Sequence, residues 1–507
     1  MIRPMASLRT NVAANFIGQA WIALIGVLFL PVYIRLLGME AYGLIGVYIS
    51  LQALLFMLDL GLSSTLNREL ARYGRTSAEA DSAHDLVRTL EWAFWPLCAV
   101  VVLLMVFASP LIAEHWLQPV SFPIQRVAHA LVLMAVAIAA QWPAAFYAGG
   151  LNGLERQVEV NLTNMVFATL RWVAVIPVLR WIGPTIEVYL YWQIAIAILQ
   201  TVVVRVLLAR ALPGRQRPAR FSASRLRDVR GFALGTFFIA ALSFVLIQAD
   251  RLVLSRLLPL DQFGAYVLVA TVAATLSRVF SPFFAALYPR YSGLVATGDD
   301  LRLAALYHGS NQLLAVIVAP VAAVLAFFSE DVLRLWTHNP GLASRGAPIL
   351  SMLVVGTGLN GMMNLPYALQ LAHGWTRLAI YQNLVAVCIV VPASWSLAHR
   401  FGALGAASMW TALNLGYVLI GIPLMHRRLL SQEMKAWYLK DMLPSVAVAT
   451  LTTALMRQLL DPLPDSFGGV LTLATVGVIV LSLTAACSTH ARLIIRSARE
   501  SGIKKLL

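Results

Sequence analysis

Apolar runs of about 20 residues recur along the whole chain, each long enough to carry an α-helix across roughly 30 Å of hydrocarbon at about 1.5 Å per residue. Few features restrict a fold so severely. Charged residues make up only 12% of the 507 positions, against 60% hydrophobic, where a soluble chain carries about 25% charged. A water-soluble fold of this length could not hide so much apolar surface behind so few charges. The expected fold class is an all-α polytopic membrane protein.

About fourteen transmembrane helices can be placed. The first six lie near Asn11–Leu36, Ala41–Ser64, Trp92–Trp116, Ala128–Leu151, Val160–Trp181 and Ile186–Leu208. Six more follow near Gly231–Leu254, Gly264–Tyr288, Ser310–Leu333, Ala347–Leu371, Leu378–Leu397 and Gly402–Met425. Two last spans lie near Leu443–Leu459 and Gly468–Cys487. The run after Arg9 is too long for the apolar core of a signal peptide and has no clear small-residue cleavage site, so it reads as a retained first helix. Cys98, Cys388 and Cys487 are far apart inside apolar stretches, without metal or disulfide spacing, and read as packing residues.

A net charge of +15 would suggest nucleic acid as partner in a soluble chain. Here the excess is topological. With the N-terminus inside, most Lys and Arg fall on cytoplasmic segments: Arg68, Arg72, Arg75 and Arg88, then Arg210 to Arg230, then Arg427 and Arg428, then Arg492 to Lys505. The expected topology has both termini in the cytoplasm, and no nucleic-acid module is present.

The stretch Arg35-Leu36-Leu37-Gly38-Met39-Glu40-Ala41-Tyr42-Gly43 reappears 221 residues later as Arg256-Leu257-Leu258-Pro259-Leu260-Asp261-Gln262-Phe263-Gly264. Both copies bridge the end of one span and the start of the next. Six spans separate them, so both point the same way through the bilayer and the repeat is parallel. The expected architecture is two six-helix lobes around a central cavity plus two extra C-terminal helices. The boundaries are 1–210 for the N-lobe, 211–230 for a cytoplasmic linker and 231–428 for the C-lobe. The extra helices occupy 429–490, and a basic cytoplasmic tail occupies 491–507.

Three stretches resemble a known family. The opening Asn11…Gln19, then Pro31-x-x-x-Arg35-Leu36-Leu37-Gly38 with Tyr42-Gly43, then Leu58-Asp59-Leu60-Gly61-Leu62, are similar to the start of polysaccharide export flippases. These are the Wzx-type proteins of the multidrug/oligosaccharidyl-lipid/polysaccharide transporter superfamily. Gln248-x-Asp250-Arg251 is similar to that family's second lobe. The resemblance implies alternating access, with a lipid-diphosphate-linked oligosaccharide turned from the cytoplasmic to the periplasmic leaflet of a bacterial inner membrane. It implies membrane lipids as surroundings, a polysaccharide polymerase and a chain-length regulator as candidate partners, and no cofactor.

Ionisable groups inside a span are expensive and usually face protein or a water-filled cavity. Arg171 and Arg278 lie far from the ends of their spans, one in each expected lobe. Guanidinium never deprotonates and binds phosphate in a bidentate manner, so both are candidates for the substrate diphosphate. The alternative is that each pairs with a carboxylate or a helix-end carbonyl. Asp250 and Arg251 are neighbours about 100° apart on a helix, so one bridges to another helix while the other, Arg251 as a substrate contact, faces the cavity. Asp59 is either a coupling site for a proton or cation, or a cap or partner for Arg68 or Arg72. Asn11, Asn15 and Gln19 share one helix face through i, i+4 spacing. That face contacts either sugar hydroxyls, with Asn15 and Gln19 as binding residues, or a neighbouring helix. Asn360 and Asn364 carry the same ambiguity.

Gly356-x-Gly358-x-x-Gly361 matches a dinucleotide fingerprint but lies inside an apolar span with no preceding strand, so close helix packing explains it better. There is no Walker A motif. A cation-coupled multidrug exporter would favour an acidic cavity, for which only Asp59 and Asp250 are available. A glycan polymerase or ligase would carry a sizeable external loop, whereas the largest here runs from about Leu117 to Val127. The favoured expectation is a lipid-linked oligosaccharide flippase, not an enzyme.

Overall fold

A computed structural model of the chain describes residues 24–57, 62–70, 77–212, 218–221, 244–460 and 463–492, with isolated positions before residue 24. Every regular element among them is helical. Among the described residues ten helices are long and apolar enough to cross a membrane, and the chain is a multi-pass membrane protein. Fewer than the fourteen expected spans can be followed among the described residues. The first and seventh run into residues outside that set, and the second is the 19-residue helix Met39–Met57. The expected eleventh and twelfth spans form one run, Thr376–His426.

That last run is a hairpin. Gly402 has φ 59° and ψ −141°, a combination open essentially to glycine alone. Beyond it the chain doubles back. The Tyr417 hydroxyl donates to Asn383 Oδ1 at 2.8 Å, and a Cβ on Gly421 would lie 3.0 Å from Gln382 Nε2. The two arms are nearly equal about residue 402, so the stretch holds two antiparallel helices.

The chain forms two compact units, Met1–Gly264 and Ala265–Leu507. The first contains α1 (Leu30–Leu37), α2 (Met39–Met57), α3 (Leu62–Leu70), α4 (Ser77–His115), α5 (Ile124–Gly153), α6 (Gln157–Trp172), α7 (Val175–Trp181), α8 (Ile186–Ala211), α9 (244–257) and the start of α10 (Leu260–Thr297). Its core helix is α5, with 72% of its apolar window buried against 22% for α4. Helices α3, α4 and α8 pack around it. Small residues allow this, because helices in lipid associate through close backbone approach rather than a hydrophobic drive. A Cβ on Gly149 would stand 2.5 Å from the Ser63 carbonyl oxygen, and one on Gly153 would stand 2.4 Å from that of Asn67. The two glycines, one turn apart, seat α3 directly on α5. Further along α5, Phe94 stacks on Phe146 with centroids 5.3 Å apart and meets Trp142 edge-on at 4.9 Å.

The two copies of the nine-residue repeat meet each other inside this unit. A Cβ on Gly43 would fall 2.0 Å from the Leu260 carbonyl oxygen, and one on Gly264 would fall 2.6 Å from that of Met39. Leu260 is the repeat equivalent of Met39, so the contact is reciprocal, as a local two-fold requires. The loop after α4 is bound to both copies. Glu40 accepts from the backbone N–H groups of Val120 (2.7 Å), Ser121 (3.1 Å) and Phe122 (3.2 Å). Gln118 donates its side-chain amide to the Arg256 carbonyl at 3.0 Å and accepts from the Leu260 N–H at 2.9 Å.

The second unit holds the rest of α10, α11 (Asp300–Phe327), α12 (Ser329–Thr337), α13 (Pro340–Ala372), the hairpin α14 (Thr376–His426), α15 (Met434–Leu460) and α16 (Phe467–Cys487). Helix α11 packs on α13, α15 and α16. Buried Asp331 ties α12 to α15: it pairs with Arg334 at 2.9 Å and with Arg457. His308 on α11 bonds Asp441 at 2.5 Å and Glu433 at 3.0 Å. The glycine pattern in α13 is close packing, as its sequence context indicates. A Cβ on Gly356 would meet Trp410 at 2.6 Å, and one on Gly361 would meet Phe280 at 2.7 Å. Asn360 donates to Asn414 Oδ1 at 2.8 Å, an interhelical bond. Of the cysteines, Cys98 is buried as expected of a packing residue, but Cys388 and Cys487 are exposed, because their helices turn those positions outward.

Candidate functional site

Helix α6 places Asn164 and Arg171 seven residues apart, and α8 places Gln193 and Gln200 seven apart, so each helix shows one polar stripe on one face. The stripes interlock. Arg171 donates from Nη2 to Gln200 Oε1 at 2.8 Å. Gln200 passes its own amide to Asn164 Oδ1 at 3.3 Å. Gln193 reaches the Arg171 carbonyl at 3.4 Å.

Arg171 is 9% exposed, and its Nε finds no acceptor. Among the described residues no carboxylate pairs with it, and it sits in the last turn of α6, one residue before the helix ends at Trp172. Its charge is held by a neutral amide. Such an arrangement leaves a fixed positive charge in a low-dielectric interior, where an isolated ion is costly and an anion is correspondingly attracted.

A cavity of about 400 Å³ lies beside this chain of amides. Its polar wall is Ser63 and Asn67 from α3, Gln141 and Asn152 from α5, Asn164 from α6 and Gln200 from α8. Gln141 is steadied by Gln52, which donates to its Oε1 at 2.6 Å. The Gly149 and Gly153 contacts bring Ser63 and Asn67 to the wall, since a bulkier α5 would hold α3 away. Among the described lining residues none is acidic or basic. Hydroxyls and amides offer both donors and acceptors, so the cavity suits a hydroxyl-rich ligand, with the guanidinium of Arg171 behind Gln200.

The other candidates lie elsewhere. Arg278, on α10 in the second unit, is exposed and forms no ion pair among the described residues. Asp250 and Arg251 are half-buried on α9. The Arg251 N–H donates to Asp250 Oδ1 at 2.7 Å, so the carboxylate is turned toward the backbone rather than toward its neighbour's guanidinium. Asn15, Gln19 and Asp59 lie outside the described residues. The amides Asn164, Gln193 and Gln200 and the glycines of α5 escaped the reading from sequence. Their signal was seven-residue spacing of polar residues in apolar runs and a small-xxx-small pattern.

Comparison with known proteins follows the same lines. A model of the family described as "Polysaccharide biosynthesis protein" matches residues 8–295. A "Putative O-antigen transporter" of Shigella flexneri is 22% identical over 425 residues, covering 80% of this chain and 94% of that protein. The solved structure of the lipid II flippase MurJ in an inward closed conformation superposes with a TM-score of 0.69 at 13% identity, covering 94% of this chain and 98% of that one. An outward-facing multidrug resistance transporter of the MATE family, in the MOP superfamily, gives 0.56 at 14% identity, covering 85% and 98%.

Proposed function

The chain belongs to the polysaccharide biosynthesis protein family, and on that premise we propose that it is a flippase for a polyprenyl-diphosphate-linked oligosaccharide. The single observation that carries this reading is buried Arg171, hydrogen-bonded to Gln200, whose amide lies on the wall of a cavity lined by five amide side chains and the Ser63 hydroxyl. The guanidinium supplies the charge for a diphosphate, and the uncharged wall supplies donors and acceptors for sugar hydroxyls. A multidrug exporter for organic cations is less well supported, because the described residues of the cavity lining include no carboxylate.

In this reading both termini are cytoplasmic, and lobes 1–210 and 231–428 rock about the substrate. The two helices of 429–490 stand outside the repeat. Substrate passes from the cytoplasmic to the periplasmic leaflet of the inner membrane and serves O-antigen or exopolysaccharide synthesis. A polymerase and a chain-length regulator act on the product. Arg278 and Arg251 join Arg171 in contacting the substrate, with Asn15 and Gln19 from the first span, while Asp250 and Asp59 serve coupling or structure. MurJ, described as a lipid II flippase, gives a precedent for such a cargo on this fold.

The test is export in a strain lacking the chromosomal copy, with lipid-linked repeat units measured in the cytoplasmic leaflet. R171A should abolish export at normal protein level and cause those units to accumulate, and R171K should restore part of it. Q200L, which removes the amide that orients Arg171, should lower export less than R171A. Full export by R171A and R278A together would defeat the reading.

A further inference from the structure

A second, larger cavity of about 670 Å³ lies between the N-terminal part of α4 and the C-terminal part of α8, and it shares no lining residue with the polar cavity. Its floor carries Glu91, buried at 6% exposure. Glu91 accepts from the Tyr147 hydroxyl at 2.7 Å and from Arg205 Nε at 3.1 Å, and it pairs with Arg88 Nη1 at 3.5 Å. Each of the two arginine contacts takes one of the five donors of its guanidinium. The two arginine side chains stay half exposed, 47% for Arg88 and 56% for Arg205. Glu91 thus orients two cations toward the open cavity without satisfying them. The rim adds more positive charge. Ala209 and Ala219 line the cavity, and their sequence neighbours Arg210 and Arg220 are exposed. The Arg220 N–H donates to buried Asp85 at 2.7 Å, which fixes the segment 218–221 as one wall.

An apolar groove of about 630 Å³ continues from this cavity, and Val202 and Arg205 line both. Its sides are Trp95, Val102 and Val106 from α4 and Ile198 from α8, and its floor is Ala139 and Ala140 from α5. The Ala140 carbonyl is satisfied by Thr201 at 2.6 Å, so the floor makes no polar demand. From Trp95 to Val106 the groove extends roughly 16 Å at the helical rise, close to the hydrocarbon depth of one leaflet. Trp92 and Trp95 are exposed where the polar and apolar parts meet, the level at which tryptophan sits in a bilayer. The Arg88 guanidinium lies 5.8 Å from the Trp92 ring centroid.

We propose that α4 and α8 hold one anionic glycerophospholipid of the bilayer, its phosphate against Arg88 and Arg205 and an acyl chain along the groove. Charge selects the headgroup, since the unsatisfied groups are all cationic donors. Length selects the chain, since a groove one leaflet deep fits an acyl chain rather than a long polyprenyl carrier. The site is independent of the transport reading and is occupied whatever the cargo.

The test is lipid binding to the purified full-length protein by native mass spectrometry, comparing phosphatidylglycerol and phosphatidylcholine with the same acyl chains. Phosphatidylglycerol should bind as a single tight adduct, and R88Q/E91Q/R205Q should weaken it about tenfold or more while phosphatidylcholine changes little. E91Q in that variant avoids leaving a buried carboxylate unpaired, and its melting temperature reports whether it folds. V202W fills the groove where it joins the cavity, leaves every charge of the ion network in place, and should weaken phosphatidylglycerol as well. V478W, at an exposed position on α16, should not. Equal affinity for the two lipids, or unchanged binding in V202W, would overturn the proposal. So would a polyprenyl diphosphate binding there in preference to phosphatidylglycerol, or inorganic phosphate displacing it.

Discussion

Substituting Gly149 by alanine isolates the contact on which the polar cavity depends. The added Cβ would lie 2.5 Å from the Ser63 carbonyl oxygen, which has to retreat by roughly 0.9 Å to reach ordinary van der Waals distance. One turn away the same helix is seated just as closely, since a Cβ built on Gly153 would lie 2.4 Å from the Asn67 carbonyl oxygen. Overpacking of this kind costs about 1–3 kcal/mol, and the better helix propensity of alanine returns about 0.5–1 kcal/mol. From the middle of both ranges the net loss is about 1 kcal/mol, a factor of about 5 in the folded-to-unfolded ratio. Detergent-solubilised G149A should melt below wild type, and export should fall because Ser63 and Asn67 leave the cavity wall. G149A/G153A should cost less than the two single effects added, since α3 retreats only once. G293A and G477A, helical positions where a Cβ meets nothing within 4 Å, should be neutral or slightly stabilising. Melting and export of G149A equal to those of these controls would refute the reasoning.

Three other substitutions separate strong from weak interactions. D331A removes a 2%-exposed carboxylate from Arg334 and Arg457 and should destabilise by about 3–5 kcal/mol. D465A removes a 67%-exposed partner of the same Arg334 and should change stability by about 1 kcal/mol or less; thermal melts of the pair decide whether burial sets the difference. G402A forces alanine into φ 59°, ψ −141° and should cost about 1–3 kcal/mol, with increased proteolysis near residue 402. E40A deprives the N–H groups of Val120, Ser121 and Phe122 of their acceptor, so hydrogen exchange at those amides should rise relative to the Gln118 contact.

The spans were legible because hydrocarbon imposes length and composition locally, residue by residue. Even the hairpin at Gly402 was marked, by the gap between the apolar runs ending at Leu397 and starting at Gly402. Arg171 stood out as a charge within an apolar run. Its partners did not, because Gln193 and Gln200 are neutral and meet α6 only through tertiary packing, which one sequence does not specify. The same holds for Asp331 and Arg457, 126 positions apart. Distance from the ends of an apolar run also misjudges burial: Arg171 and Arg278 both lie well inside their expected spans, yet one is buried and the other exposed, since rotation about the helix axis decides it. The close packing behind the α13 glycines was read correctly from context, whereas the equivalent pattern at Gly149 and Gly153 was passed over.

The reciprocal seating of the two nine-residue copies binds their histories together. Gly43 leaves room for the backbone at Leu260, and Gly264 leaves the same room at Met39. Neither copy can acquire a side chain at its glycine without displacing the other's helix start, so drift in one is policed by the geometry of its twin. The likeness of the two stretches is thus held in place by a contact each makes with the other.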